Sequence, residues 1–248
     1  MRRAKQIVKS IVPRPILQAI RQFKMMHAEP RYKHLATEQV FSAIYEEGVW
    51  GTSDDSSQRF YSGDGSHNKT IVDPYIDSVR AFLSTFEPKP NVVDLGCGDF
   101  YVGERVRDMC EQYIACDIVP QLISFNRDKY RSLNVDFRVL DLTKDELPSA
   151  DIVFLRQVLQ HLSNAKIAGA LQQISLKYKY LVLTEHLPSV GAFVPNLDMP
   201  TGAATRLYAT SGLILTCRPF NLKVKGEHQL CVAPGFPGEL RTTLYELA

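Results

Sequence analysis

Short apolar runs recur through the middle of the chain, at Asn91–Leu95, Tyr113–Asp117, Phe137–Asp141, Asp151–Leu155 and Tyr180–Glu185, with helical periodicity between most of them. No other feature constrains the chain as much. Short apolar strands separated by helices belong to a parallel sheet covered on both faces. The intervening helices are expected over Val119–Tyr130, with Pro120 near its start, and over Asn164–Leu176 with Ser163 as its cap. Upstream, Asp73-Pro74 reads as a helix start, an N-cap acid followed by proline at the first helical position. Ile76, Val79, Leu83 and Phe86 then share a face until Pro88 and Pro90. Beyond Pro188 the alternation lapses. Thr210–Cys217, Gln229–Ala233 and Thr242–Leu247 read as short strands or hairpin arms, which suits an antiparallel edge on a mostly parallel sheet.

In an open α/β sheet the ligand crevice lies at the carboxyl ends of the strands. The first run ends there in Asp94-Leu95-Gly96-Cys97-Gly98-Asp99-Phe100. A Gly-x-Gly turn lets backbone approach a ligand closely, but by itself fits any nucleotide-binding sheet. A dinucleotide fingerprint needs a third glycine three residues on, and Tyr101 stands there instead. Asp117 ends the second run, 23 residues after Asp94, where a carboxylate can accept both ribose hydroxyls of a nucleoside. Asp141 ends the third. One such aspartate is an ordinary strand-end turn residue; three in order on successive strand ends form a pattern.

Asp94-Leu95-Gly96-Cys97-Gly98 resembles motif I of class I S-adenosylmethionine-dependent methyltransferases, and the resemblance spans about Asp73 to Glu185. A narrower likeness runs through Ile44-Tyr45, Trp50-Gly51, Ser62-Gly63-Asp64-Gly65-Ser66, Cys97-Gly98-Asp99-Phe100, Arg156, His161-Leu162-Ser163 and Pro219-Phe220. It is similar to a methyltransferase family with a WG…SGxGS…CGDF pattern, whose members are associated with glycan or surface-polysaccharide modification. The resemblance implies an α/β, Rossmann-like sheet of seven mostly parallel strands with an antiparallel edge, helices on both faces and an N-terminal helical extension. It implies S-adenosylmethionine as cofactor, S-adenosylhomocysteine as product, and an adenine contact near Asp141. The expected cofactor residues are Asp94, Gly96, Cys97, Gly98, Asp99, Phe100, Asp117, Ile118, Asp141, Leu142, Arg156, Gln157, Trp50 and Gly63, the last two on a loop, Trp50 to Ser66, that closes over the cofactor. The chain departs from the pattern at Gln157, where such proteins often carry an acid.

Methyl transfer to a hydroxyl gains from a base that removes its proton, whereas an amine must only arrive unprotonated. The candidate bases are His161, after the fourth strand, and Glu185 and His186 at the end of the fifth. A histidine's ordinary pKa of about 6.5 suits that work. Asn196, Asp198 and Arg206, in the irregular stretch after the fifth strand, are the expected acceptor contacts, an arginine being able to grip an anion bidentately. No His/Asp spacing reads as a metal site. For each of these side chains an ordinary structural role competes with the functional one.

Charge is unevenly placed. Residues 1–33 hold nine Lys/Arg against the single acid Glu29, leaving a body of twenty basic and twenty-six acidic residues. Ile7-Val8, Ile11-Val12, Ile16-Leu17, Ile20 and Phe23 recur at helical spacing in that arm, broken by Pro13 and Pro15. The expected organisation is a basic amphipathic arm over 1–35, a helix and cofactor-covering loop over 36–70, and the methyltransferase domain over 71–248. The arm's apolar runs are too short for an export signal or a spanning helix. A cytoplasmic protein is expected, with the arm suited either to peripheral contact with anionic lipid or to packing on its own domain. The cysteines (Cys97, Cys110, Cys116, Cys217, Cys231) lack paired spacing and suit a reducing compartment. The leading reading is methyl transfer to a hydroxyl of a small molecule or glycan. N-methylation or methylation of nucleic acid is an alternative; the acidic body disfavours nucleic acid, since phosphate contacts need basic surface. A third reading, suggested by Gln157, is a scaffold that keeps the fold without transfer. The oligomeric state is left open.

Overall fold

The computed structural model of the chain describes residues 31–248 apart from Lys33, Asp54, Ser56, Ser57, Val190 and Phe236. The basic arm therefore lies almost wholly outside the described residues. Helices α1 (Thr37–Glu46), α2 (Asp64–His67) and α3 (Lys69–Leu83) come first. Strand β1 (Val92–Leu95), β2 (Tyr113–Asp117), α4 (Pro120–Lys129), β3 (Asp136–Val139), β4 (Ile152–Arg156), α5 (Asn164–Lys177), β5 (Tyr180–Leu187), β6 (Val224–Gly235) and β7 (Gly238–Leu247) follow. They build one seven-stranded sheet in the order β3-β2-β1-β4-β5-β7-β6. The first five strands are parallel; β7 runs antiparallel to β5, and β6 to β7.

Every residue of β1 is buried, as expected for a central parallel strand covered on both faces. Its side chains alternate between two cores. Val93 and Leu95 join Val153, Leu155 and Leu183 under Ile167, Leu171 and Ile174 of α5. Val92 joins Ile152, Phe154 and Val182 under Val72, Ile76 and Val79 of α3. The outer strand β3 buries only Phe137 and exposes Asp136 and Arg138, so its edge is charged.

Local signals point to a different structure in two places. Helix α3 starts a turn before Asp73-Pro74: Asn68 is the N-cap, its Oδ1 accepting from Thr70 N at 3.1 Å, and Pro74 lies inside the helix. The earlier start brings Val72, fully buried, into the core, which offsets the backbone hydrogen bond lost at the proline. Thr210–Cys217 forms no strand. Leu213 and Leu215 are buried in alternation, which produced the strand-like pattern, but the backbone there is held by a side chain, with Ile214 N donating to Asn196 Oδ1 at 2.9 Å. Ser163 is the N-cap of α5, as expected, but its side chain makes no capping bond; Asp198 Oδ1 accepts from Asn164 N, at 2.7 Å.

Candidate active site

The loop after β1 turns through backbone conformations that favour glycine, with φ of 77° at Gly96 and 56° at Gly98. Space matters as much as φ. A Cβ at Gly96 would lie 2.4 Å from Val158 Cγ2, and one at Gly98 2.5 Å from Ser62 Oγ. The loop is pinned from three sides: Gly96 N and Cys97 N donate to Cys116 O at 2.8 and 2.9 Å, Gly98 N to Asp117 Oδ2 at 3.1 Å, and Asn126 Nδ2 to Gly98 O at 2.7 Å.

These strand ends border a cavity of about 290 Å³, lined by Asp94, Gly96, Cys97, Gly98, Asp99, Asp117, Ile118, Asp141, Leu142, Arg156 and Gln157 among the residues expected there. Asp94 Oδ2 accepts from Tyr113 OH at 2.9 Å. Burial pushes its carboxyl up to about 7, the tyrosine bond opposing and the neighbouring Asp117 adding to the rise. Burial likewise lifts Asp117 to about 6 against the backbone N–H groups of Val119, Gly98 and Ile118. Asp141 Oδ1 accepts from Thr143 N at 3.0 Å and Thr143 Oγ1 at 2.6 Å. Phe100 stands apart from this group. It is fully buried and absent from the cavity wall, packed edge-to-face among Tyr113, Tyr130 and Phe137. Its φ of 61° turns the loop, and its ring anchors it.

The segment Ser62–Ser66 crosses the same cavity. Ser62 N donates to Asp99 Oδ2 and Asp99 N to Ser62 Oγ, both at 2.9 Å, a reciprocal pair that clasps segment and loop. His67 adds a 2.6 Å contact to Asp99 Oδ2 and stacks between Tyr61 and Tyr101. Arg156 Nη1 donates to Ser66 Oγ at 3.2 Å and Nη2 to Gly65 O at 2.5 Å, while its Nε is buried with no partner. Gln157 packs its amide against Gly65, where a Cβ would lie 2.5 Å from Nε2. Trp50 and Gly63 both line the cavity, beside each other.

At the far end stands His161, 9% exposed. It is on a short helical turn, Leu159–His161. Its Nδ1 is 3.1 Å from Ala204 O, which fixes the proton on Nδ1, and its Nε2 lies 3.3 Å from Gln160 Nε2. Burial pushes the imidazole down to about 4, so it is neutral at pH 7 with a lone pair on Nε2. Trp50 lies over it, ring centroids 5.1 Å apart, backed by Phe41 and Tyr45. His186 also reaches the cavity, and burial holds it near 4; its Nε2 is buried without a partner and packs close to Gly235.

Glu185 does not reach the cavity wall. Neighbouring residues on a strand face opposite sides, so with His186 on the cavity side Glu185 points the other way. It is 2% exposed and burial lifts it to about 8, against the pull of nearby Arg206. Neither carboxyl oxygen makes a hydrogen bond of good geometry. The expected acceptor contacts are also absent from the wall. Arg206, 3% exposed, donates to the carbonyls of Leu197, Leu159, Gln160 and Leu162 and to Asn164 Oδ1, at 2.8 to 3.3 Å. Asn196 Nδ2 donates to Ile214 O and Arg218 O at 2.8 and 2.9 Å. With Asp198 capping α5, all three polar side chains tie the irregular segment together. The wall they support is made by residues the sequence reading passed over: Ala203, Thr205, Leu207 and Tyr208, facing Phe41, Tyr45 and Val49. Among the described residues no cluster of His, Cys, Asp or Glu is arranged to hold a metal, and no helix is long and apolar enough to cross a membrane.

Residues 92–177 match the family model of a methyltransferase domain. No curated protein matches the chain. Solved structures match its fold. The N-methyltransferase NodS of Bradyrhizobium japonicum WM9, bound to S-adenosylhomocysteine, superposes with a TM-score of 0.61 at 13% identity, covering 84% of this chain and 98% of its own. Magnesium protoporphyrin IX methyltransferase of Synechocystis PCC 6803, with bound S-adenosylmethionine, gives 0.56 at 14% identity over 86% and 98%. Human N-acetylserotonin methyltransferase, also with S-adenosylmethionine, gives 0.54 at 17% identity over 86% of this chain and 60% of its own. The fold is that of class I S-adenosylmethionine-dependent methyltransferases.

Proposed function

We propose that this methyltransferase moves a methyl group from S-adenosylmethionine to a hydroxyl of a small-molecule acceptor. The observation that carries the reading is one cavity lined by two unlike sets of groups: three strand-end carboxylates with an arginine that has a spare donor, and a neutral histidine of fixed tautomer.

The residues present fit the cofactor. Each oxygen of Asp117 accepts one backbone N–H and keeps a second acceptor position for a ribose hydroxyl. Asp141 and Leu142 would border the adenine. Asp94 offers a negative charge to the ammonium of the methionine part, and the unpartnered Nε of Arg156 offers a donor to its carboxylate. When bound, the cofactor supplies an electrophilic methyl on a sulfonium. The chain's own work is to position the acceptor and take a proton. As the carbon–oxygen bond forms and the methyl–sulfur bond breaks, the hydroxyl becomes acidic. His161 Nε2 receives its proton, Gln160 giving way along a long 3.3 Å contact. A buried imidazole with a depressed pKa suffices because an oxygen gaining a methyl is itself a strong acid, and the resulting imidazolium passes its proton on readily.

The small molecules named for two of the similar structures, magnesium protoporphyrin IX and N-acetylserotonin, support a small acceptor here as well. A glycan hydroxyl remains within the proposed class, since the apolar face of a sugar ring can lie on Trp50. Calorimetry with S-adenosylhomocysteine, followed by S-adenosylhomocysteine release from pools of hydroxylated and amino acceptors, tests the reading. Binding and hydroxyl-dependent release are expected; a folded protein that binds no cofactor, or turns over amines alone, would overturn it.

A further inference from the structure

Carboxylates outnumber basic side chains in the lining of the cavity. Asp64, Asp94, Asp99, Asp117 and Asp141 line the cavity, against Arg156 as its one Lys or Arg among the described residues. Arg156 is already committed: its two Nη groups hold the Ser62–Ser66 segment and its plane lies over Tyr75, 5.0 Å from the ring centroid. Arg206, the cation expected to grip an acceptor, is spent on backbone carbonyls behind the wall. Among the described residues no other Lys or Arg lines the cavity to balance an anionic acceptor.

What the acceptor end offers instead is rings. Trp50 packs edge-on to Tyr45 (5.2 Å) and tilts against Phe41 (6.1 Å) and His161 (5.1 Å). Leu207 and Tyr208 also line the cavity, on the segment whose Ala204 carbonyl holds His161. A flat aromatic molecule gains from offset or edge contacts with such rings.

We propose, resting on hydroxyl transfer as argued above, that the acceptor is an uncharged aromatic alcohol of the phenol type, and that the cavity rejects its carboxylated and phosphorylated relatives. Trp50 selects the ring, and the absence of a free cation selects against the anion. Specificity of this kind comes from what the wall repels as well as from what it holds.

Trp50 is the only tryptophan in the chain, so its fluorescence reports directly on occupation of this end. The test uses the full chain loaded with S-adenosylhomocysteine and titrates 2-naphthol, 3-hydroxy-2-naphthoate and methyl glucoside. Turnover of the same compounds is then followed with S-adenosylmethionine. At least tenfold tighter quenching by 2-naphthol than by the carboxylate or the glucoside is expected, with turnover in the same order. Leu207→Lys, which adds a cation to the wall, is expected to shift preference at least tenfold toward the carboxylate. Trp50→Leu should raise KM for 2-naphthol about tenfold relative to KM for methyl glucoside, and Trp50→Phe, which keeps a ring, should restore most of the preference. Preference for the glucoside or the carboxylate in the unmodified chain overturns this inference and leaves hydroxyl transfer standing. Turnover of 2-naphthylamine in place of 2-naphthol does the reverse, removing hydroxyl transfer while keeping the aromatic slot. Cofactor binding with no preference for aryl compounds by either readout overturns the inference outright.

Discussion

The two ends of the cavity use polar residues in opposite ways. At the proposed cofactor end, Asp94, Asp117 and Asp141 sit at the ends of parallel strands and line the cavity. At the acceptor end, Asn196, Asp198 and Arg206 turn away from it and hold the backbone of a segment that has no sheet to pair with. A regular strand satisfies its own backbone, so Asp117 and Asp141 hold N–H groups of the adjoining turns and still line the cavity. An irregular segment must borrow side chains for that purpose, because buried backbone groups need partners. Polar substitutions at the first end should therefore cost binding, and at the second end stability.

The largest expected effect probes the residue standing between the two regimes. His161→Asn, which keeps a hydrogen-bonding head without the base, is expected to lower kcat by 10²–10⁴-fold with little change in cofactor affinity. An unchanged kcat would move the base to His186. Next comes the direct contrast. Arg206→Leu strips several buried carbonyls of their donor and should destabilise the fold by about 3–5 kcal/mol, seen as a lowered denaturation midpoint. Asp117→Asn should instead weaken S-adenosylhomocysteine binding by on the order of 100-fold and leave that midpoint nearly in place. Matching stability losses in both variants would erase the distinction.

The remaining predictions concern pH. Asp94 near 7 and Asp117 near 6 are partly protonated at neutrality, and a cationic ligand favours their charged forms. Cofactor affinity should thus fall roughly tenfold or more as pH drops from 8 to 5.5, measured by calorimetry, while His161, held near 4, stays neutral throughout. Glu185 gives the smallest effect, and on stability alone. Its folded pKa of about 8 lies above the ordinary 4.5, so the folded state binds the extra proton between those values. Stability from this group is complete below pH 4.5 and is lost as pH rises through 8. Glu185→Gln should flatten that decline and raise the melting temperature at pH 8 by a few degrees, at roughly 2–4 °C per kcal/mol.

The cofactor end was legible because its signals are local. A run such as Val92-Val93-Asp94-Leu95-Gly96 carries its strand, its exit and its turn within a few residues, and the order of strands then follows from the parallel connections. Phe100 misled because its place in the motif says nothing about which way its ring points; three aromatic neighbours from other elements drew it inward. Arg206 and Asn196 misled for a related reason. Their side chains could serve a ligand or the backbone, and only the folded chain brings the carbonyls of Leu159, Leu162 and Ile214 within their reach.

By itself the sequence determined the α/β sheet, its mostly parallel pairing and the strand-end acids around Gly96-Cys97-Gly98, since periodicity and turn chemistry are written in neighbouring residues. The tertiary structure alone decided that Ser62–Ser66 is clasped to Asp99 and Arg156, that Glu185 faces away from His186's cavity, and that Phe41, Tyr45 and Trp50 join the cavity lining with Arg156 as its one Lys or Arg among the described residues. Those outcomes depend on contacts between residues tens of positions apart, and the geometry of such contacts exists only once the sheet has brought them together.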